Sequence, residues 1–338
     1  MELISPSKKQ FKANLHCHST LSDGKKTPQE LKEMYRERGY QILAITDHER
    51  PFCHAALDDE NFLTVTGYEV YIRDREDARY DPYAKEVHLN LFAREQDNVK
   101  AVCYQRQYYK YVPAEEQEAL EKVGSTLPRT RTAEYVNELI RTATENGYLV
   151  AYNHPWWSME SEEEILSYEG IFSLEMCNYG SYLSSGLMEY GGAIYDKMLR
   201  AGKRVFCHAG DDNHNHHPVD SVGCDSFGAF TMILADSLDY ASVLAAMERG
   251  DMYSSMGPVF HSVRIEEDCV FIRCSEVERI LLQSGSKAPK RAFAPKGGSL
   301  TEACLPIDPR APYVRVTIVD ACGRAADTRA VFRSEFSS

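Results

Sequence analysis

The chain has 338 residues and no apolar run long enough to span a bilayer. Its first residues, Met1-Glu2-Leu3-Ile4-Ser5-Pro6-Ser7-Lys8-Lys9, lack the apolar core of a secretory signal, so a membrane protein is not expected and the cytoplasm is the expected location. Ten cysteines occur, but with no C-x-x-C pair and no disulfide-framework spacing they read as reduced, mostly buried thiols. Positive charge is scarce. The 38 basic residues stand against 51 acidic ones, and the formal charge of -13 argues against extended contact with nucleic acid or anionic membrane. There is no G-x-S-x-G elbow and no Walker loop, which sets aside a serine nucleophile of that kind and P-loop phosphoryl transfer.

What is present is an ordinary globular composition, 43% hydrophobic and 26% charged, with ionisable residues gathered at the ends of short apolar runs. Asn14-Leu15-His16-Cys17-His18 opens the series. On an extended strand His16 and His18 share one face and Cys17 points away, so two imidazoles converge. Thr27-Pro28-Gln29-Glu30 carries the signature of a capping box and predicts a helix to about Arg38 that stops at Gly39. The runs 41–46, 62–66, 87–92, 148–152, 171–174 and 204–207 read as strands. They lead into or carry Asp47-His48, Glu69, His88, His154, Asn178 and Asp212-Asn213-His214 respectively. Helical patterns lie at Ala133–Glu145, Leu187–Ala201 and Leu238–Arg249. Repeated strand-helix units with polar strand ends describe an α/β barrel whose site lies at the carboxyl ends of its strands.

Residues 94–131 fit no such unit and read as an insertion rich in tyrosine and basic residues; the charged loop 73–85 reads as exposed. From about Ser255 the pattern changes to short β-branched runs (261–265, 269–274, 279–283 and 313–319), with a loop at 284–299. The expected organisation is therefore a barrel over 10–254 and a small β-rich C-terminal domain over 255–338.

Collected at the strand ends, His16, His18, Asp23, His48, Glu69, His88, His154, Asp212 and His214 mix imidazole and carboxylate donors without thiolate. Such a set suits zinc, manganese or iron better than calcium or magnesium. Asp211 adjoins Asp212, and the spacing to His214 favours Asp212. Asp47 is expected to orient a ligand through a hydrogen bond. His208 reads either as a substitute ligand or as a buried, hydrogen-bonded residue, and His54, His216, His217 and His261 as structural or surface.

The runs His16-Cys17-His18, Thr46-Asp47-His48, Glu69, His88, His154 and Asp212-Asn213-His214 resemble, in order, the motifs of the PHP (polymerase and histidinol phosphatase) superfamily. That resemblance implies a distorted seven-stranded β/α barrel holding two or three divalent ions. It implies that His16, His18, Glu69 and Asp212 hold the first ion, with Glu69 bridging to a second held by His88 and His154. Asp23, His48 and His214 would hold a third; Asp23 stands where many relatives have histidine.

Such ions would make the pocket positive inside an acidic protein, and a metal-bridging hydroxide could attack phosphorus without a protein nucleophile. The expected function is hydrolysis of a small phosphorylated metabolite or nucleotide, with Glu69, Asp212 and His214 at the reacting centre. Asn178, Arg94 and Arg131 are the expected substrate contacts, with Lys85 and Arg129 as further phosphate contacts and Trp156, Trp157, Tyr68 and Tyr179 as stacking or shaping groups. A metal-dependent amide, ester or carbamate hydrolase is the alternative. A non-catalytic binding module is a third reading.

Overall fold

The computed structural model describes residues 1–73, 75 and 81–336. Residues 74 and 76–80 of the 73–85 loop therefore lie outside the described residues. The chain is a mixed α/β fold with a β-rich C-terminal region, and no described helix is long and apolar enough to cross a membrane.

Strands Lys9–Asn14, Ile42–Ala44 and Leu63–Val65 lie side by side in parallel. A second sheet places Gly67–Ile72, Val87–Ala93, Tyr148–Tyr152, Ser173–Asn178 and Phe206–Gly210 in that order. The two sheets are laced together at the strand ends that carry the histidines. A parallel bridge pairs His48 with Glu69, another pairs Cys17 with Asn213, and the Asp212 N–H donates to the His16 carbonyl at 2.8 Å. Val87–Ala93 is buried along its whole length, as expected of a strand covered on both faces. It runs antiparallel to both neighbours. No helix separates it from Gly67–Ile72 among the described residues, so no parallel crossover is made. Its start, with His88, thus lies level with the carboxyl ends of the other strands.

The Thr27 capping box forms, and the helix runs Pro28–Glu37. Loss of such a cap costs about 1 kcal/mol. Ala133–Glu145 is helical as expected and packs Val136, Leu139, Ile140 and Ala143 against Val70, Leu89 and Val150. The expected helix Leu187–Ala201 is corrected to Gly192–Arg200, preceded by a separate helix Tyr179–Ser184. Gly186 and Leu187 both have left-handed backbone, which a continuous helix does not admit. The apolar run Phe230–Ala235, not expected as an element, is a strand antiparallel to Lys9–Asn14.

Beyond it, Met252–Ser255 pairs with Phe230–Ala235 on one side and Ala325–Thr328 on the other, so one sheet runs through position 255 into the C-terminal strands. The 284–299 stretch is not wholly loop: Lys290–Phe293 pairs with Arg279–Gln283. A separate antiparallel sheet joins Glu2–Ile4 to Phe260–Glu266, Cys269–Val277 and Leu300–Pro306. Leu3 and Ile4 thereby share a core with Val263, Ile280, Val316 and Ile318.

Candidate metal centre

His16 and His18 follow directly on the Lys9–Asn14 strand, both fully buried, while Cys17 between them packs with Leu31, Tyr35 and Leu43. The loop to Asp23 then folds tightly over His18. A β-carbon at Gly24 would lie 2.3 Å from the His18 carbonyl oxygen, so only glycine fits there. Gly210 is constrained in the same way, because a β-carbon would meet that of His16 at 2.7 Å. His154 and Asp212 have left-handed backbone, φ 27° and 50°, a conformation uncommon outside glycine that often accompanies functional sites.

Glu69 is the hub. Its Oε1 lies 3.2 Å from His16 Nε2, 3.1 Å from His88 Nδ1 and 3.4 Å from His154 Nε2. Its Oε2 lies 2.9 Å from His48 Nδ1 and 3.5 Å from His18 Nε2. Asp212 Oδ1 closes the other side, 2.9 Å from His18 Nε2 and 3.2 Å from His16 Nε2. Asp23 faces a third group, with His214 Nε2 at 3.4 Å from Oδ1 and His48 Nε2 at 3.7 Å from Oδ2. All the ligating residues expected from sequence are thus brought together.

Among the described residues three overlapping sets have donor atoms within 4.8 Å of one another: His18 with Asp23, His48 and His214; His16 with His18 and Glu69; and His48 with Glu69 and His88. The donors suit divalent metal on a further ground. His16 Nε2, both ring nitrogens of His18, His48 Nδ1, His154 Nδ1 and Glu69 Oε2 are buried with no hydrogen-bond partner. Buried polar atoms left unpaired are costly, and three of these nitrogens, His16 Nε2, His18 Nε2 and His48 Nδ1, lie around the Glu69 carboxylate.

Burial works to lower the pKa of His16, and the carboxylates of Asp212, Glu175 and Glu69 outweigh it, holding the ring well above the ordinary value. In the same way burial of His88 is outweighed by Glu69 and Glu86, which raise it to about 9. His18 goes the other way, lowered by burial and by His214 and His48. The Glu69 carboxyl, which burial would raise, is held well below the carboxylate range by His88, His16 and His48.

Two carboxylates missed in the sequence orient these rings. Glu175, fully buried, accepts from His16 Nδ1 at 3.0 Å and from the His154 N–H at 3.0 Å. Glu86 lies 3.4 Å from His88 Nε2 and is itself paired with Arg73 at 3.0 Å. Each takes up one ring nitrogen, so that the other, which faces Glu69, is the one that would offer its lone pair to a bound ion. Glu175 stands at a strand end and Glu86 two residues before His88, the only signals the sequence offered. Asp47 acts on a loop and not on a ring, accepting from the Ser19 N–H at 2.8 Å and its hydroxyl at 2.6 Å. Asp211 turns away from the cluster to accept from the Tyr35 hydroxyl and the N–H groups of Phe227, Gly228 and Ala229. His208 is buried against Ser173 and Phe92, and burial lowers it to about 4.

The donors open onto a cleft of about 720 Å³ walled also by Trp157, Ser181, Leu183, His216, His217 and Val222. His216 and His217, read as structural or surface, are exposed on this wall. The expected substrate contacts are not brought to it. Arg94 lies at the far end of its strand, bound to Glu248 at 2.5 Å and to the Tyr148 carbonyl at 2.9 Å. Arg131 lies 3.5 Å from Glu160 and Glu164, and Lys85 pairs with Glu164 at 2.6 Å. Arg129 is buried in a forked pair with Glu49. Asn178 spends its amide on the site's own carboxylates, donating to Asp212 and Glu175 at 3.0 Å each while its oxygen caps Ser181. Tyr68 is buried, its hydroxyl bonded to the Lys100 carbonyl. Trp157 does reach the site, its ring 4.9 Å from His88 and 4.8 Å from His154, and Trp156 is exposed beside it.

A centre of buried imidazoles around shared carboxylates, open to a cleft, is of the class able to bind metal. The PHP domain matches residues 14–181, so this stretch of the chain is a PHP domain. Asp212 and His214 lie beyond the matched residues and join the site through their geometry. No curated protein matches the sequence. Among solved structures, a two-domain Bacteroides vulgatus protein containing a predicted PHP-like metal-dependent phosphoesterase is similar at 12% identity, with 96% of each chain covered and a TM-score of 0.45. A Bifidobacterium adolescentis protein assigned as a metal-dependent phosphoesterase is similar at 18% identity over 62% of this chain and 90% of that one, with a TM-score of 0.36. An amidohydrolase from Chromobacterium violaceum, with bound sulfate and no metal, is similar at 18% identity over 60% and 87%, with a TM-score of 0.41.

Proposed function

We propose that the chain is a metal-dependent phosphoesterase acting on a small phosphorylated metabolite or nucleotide. In this reading residues 10–254 form a distorted seven-stranded β/α barrel and residues 255–338 a second unit. The bridges His48–Glu69 and Cys17–Asn213 support taking the two site-bearing sheets as one ring.

The observation that carries the proposal is the convergence of buried, unpartnered imidazole nitrogens on Glu69 and Asp212 at the floor of one cleft. His16, His18, Glu69 and Asp212 would hold one ion, Glu69, His88 and His154 a second, and Asp23, His48 and His214 a third. The two oxygens of Glu69 face different imidazoles, which suits a bridging role. Bound manganese, zinc or iron would supply positive charge for a phosphoryl group and lower the pKa of water.

The protein's own part is to hold the rings in orientation. His16 gives its Nδ1 proton to Glu175 and His88 its Nε2 proton to Glu86, while His214 Nδ1 donates to the Asp212 carbonyl at 3.0 Å. The cleft wall adds the exposed imidazoles of His216 and His217.

The test is a panel of phosphate monoesters and diesters with added manganese. Turnover is expected, and no turnover of any member while metal stays bound would overturn the proposal. One observation favours the second reading, hydrolysis of an amide, ester or carbamate: no lysine or arginine lines the cleft among the described residues. Competitive inhibition by inorganic phosphate supports the phosphoesterase, whereas cleavage of aryl esters without phosphatase activity supports the alternative.

A further inference from the structure

Most ligands of the centre are oriented by the strands that carry the site: His16 by Glu175, His88 by Glu86, Glu69 by Asn153 and Asp212 by Asn178. Asp23 and His48 have a further hold, from the 94–131 segment. Glu49, the residue after His48, is buried with left-handed backbone at φ 49°. Its carboxylate accepts from the Tyr71 N–H at 3.0 Å and from both Nη atoms of Arg129, with Nη2 at 3.0 Å. Arg129 Nη1 also donates to the Tyr71 carbonyl at 2.6 Å, so one guanidinium grips the turn after His48 and the strand two residues beyond Glu69.

The grip is itself packed in place. Arg129 lies over the Tyr108 ring at 4.2 Å, and Tyr108 meets Tyr71 edge-on at 5.3 Å. Arg50, next along, pairs with Glu116 of the same segment at 2.8 Å. From the other side the Tyr111 hydroxyl donates to Asp23 Oδ2 at 3.4 Å. A backbone conformation that residues with a β-carbon rarely adopt persists only where its surroundings over-determine it, and here Arg129 of 94–131 adds to the hold of the Glu69 strand, whose Glu69 carbonyl accepts from the Glu49 N–H at 2.8 Å.

We propose that Arg129 and Tyr111 are positioning residues for the Asp23, His48 and His214 position, so that the 94–131 segment sets its affinity for an ion separately from the rest of the centre. The proposal rests on the ligand assignment made above. A guanidinium forked onto a carboxylate holds a plane and not only a charge, so lysine does not replace it.

The test is calorimetric titration of metal-stripped protein with Mn²⁺, alongside thermal melting. In Arg129→Lys one class of ion should weaken about 10- to 100-fold while the others keep the wild-type affinity. Tyr111→Phe, which removes one hydroxyl, should weaken the same class by less. Arg129→Met strands a buried carboxylate and can fail to fold, so the double variant Glu49→Gln/Arg129→Met, which removes both charges, is measured beside it. That variant should melt cooperatively and lose the one class.

Isotherms superimposable on wild type in folded variants would overturn the proposal. So would equal weakening of every class, which makes the segment general scaffold. Wild-type protein that takes up no Mn²⁺ would overturn the ligand assignment first and this proposal with it, an outcome read in the wild-type arm alone.

Discussion

Two of the buried clusters of charge among the described residues are built on opposite plans. In the C-terminal strands Arg315 donates to Asp196 at 2.9 Å, to Thr317 at 2.9 Å and to Asp327 at 2.7 Å, while the Tyr190 and Thr317 hydroxyls both donate to Asp327 at 2.6 Å. None of these residues has a buried atom without a partner. Around Glu69 the donors crowd together, yet several have no hydrogen bond at all. A saturated network holds the fold and has nothing left to offer. One whose lone pairs face each other unmet is arranged for something that arrives from outside.

The sharpest way to break the comparison is to remove a member of the unmet cluster. His16→Ala and Asp212→Ala should abolish hydrolysis and tight metal uptake, while circular dichroism of the metal-free protein stays that of wild type. Retained activity in both variants would refute the assignment. In the saturated network the effects should reverse: Arg315→Met leaves Asp327 without its cation and should lower stability by about 3–5 kcal/mol in denaturant melts, with manganese affinity unchanged in the folded protein.

A third test uses pH. His208 is buried, and its folded pKa is depressed to about 4. Because the unfolded chain takes up the proton first, stability tied to a neutral His208 is present above about pH 6.5 and lost as pH falls towards 4. The loss is on the order of 3 kcal/mol. Denaturant melts of His208→Gln between pH 4 and 7 should show a flatter acid limb than wild type, and a parallel one would rule the residue out as its source. The smallest effect is expected at Cys17, which lies between two ligands but packs away from them. Cys17→Ser should keep kcat within a few-fold of wild type, measured on the same substrate panel.

The donors were legible in the sequence because histidine and carboxylate at strand ends leave a pattern that does not depend on how the strands are joined. Strand direction left no such mark. Val87–Ala93 reads alike in either sense, and only its pairing shows that His88 reaches the site from the start of its strand. Glu175 and Glu86 were not singled out, since a carboxylate that orients a ring looks like any other until the ring is seen beside it. Arg94 and Arg131 were drawn to the site by charge alone, and their placement was decided by acidic partners distant in sequence, Glu248 for one and Glu160 and Glu164 for the other. Phe230–Ala235 escaped because an apolar run just before a helical pattern gives no sign that it will extend a sheet sideways.

The ladder that passes through position 255 bears on any attempt to isolate the site-bearing half. Met252–Ser255 has Ala325–Thr328 as its outer neighbour, and Glu2–Ile4 has Phe260–Glu266. A fragment cut near 254 would bare a row of N–H and C=O groups along one margin and strip Leu3 and Ile4 of their cover. Exposed margins of this kind recruit other copies of the same chain, so such a fragment should self-associate even with every metal-facing residue intact.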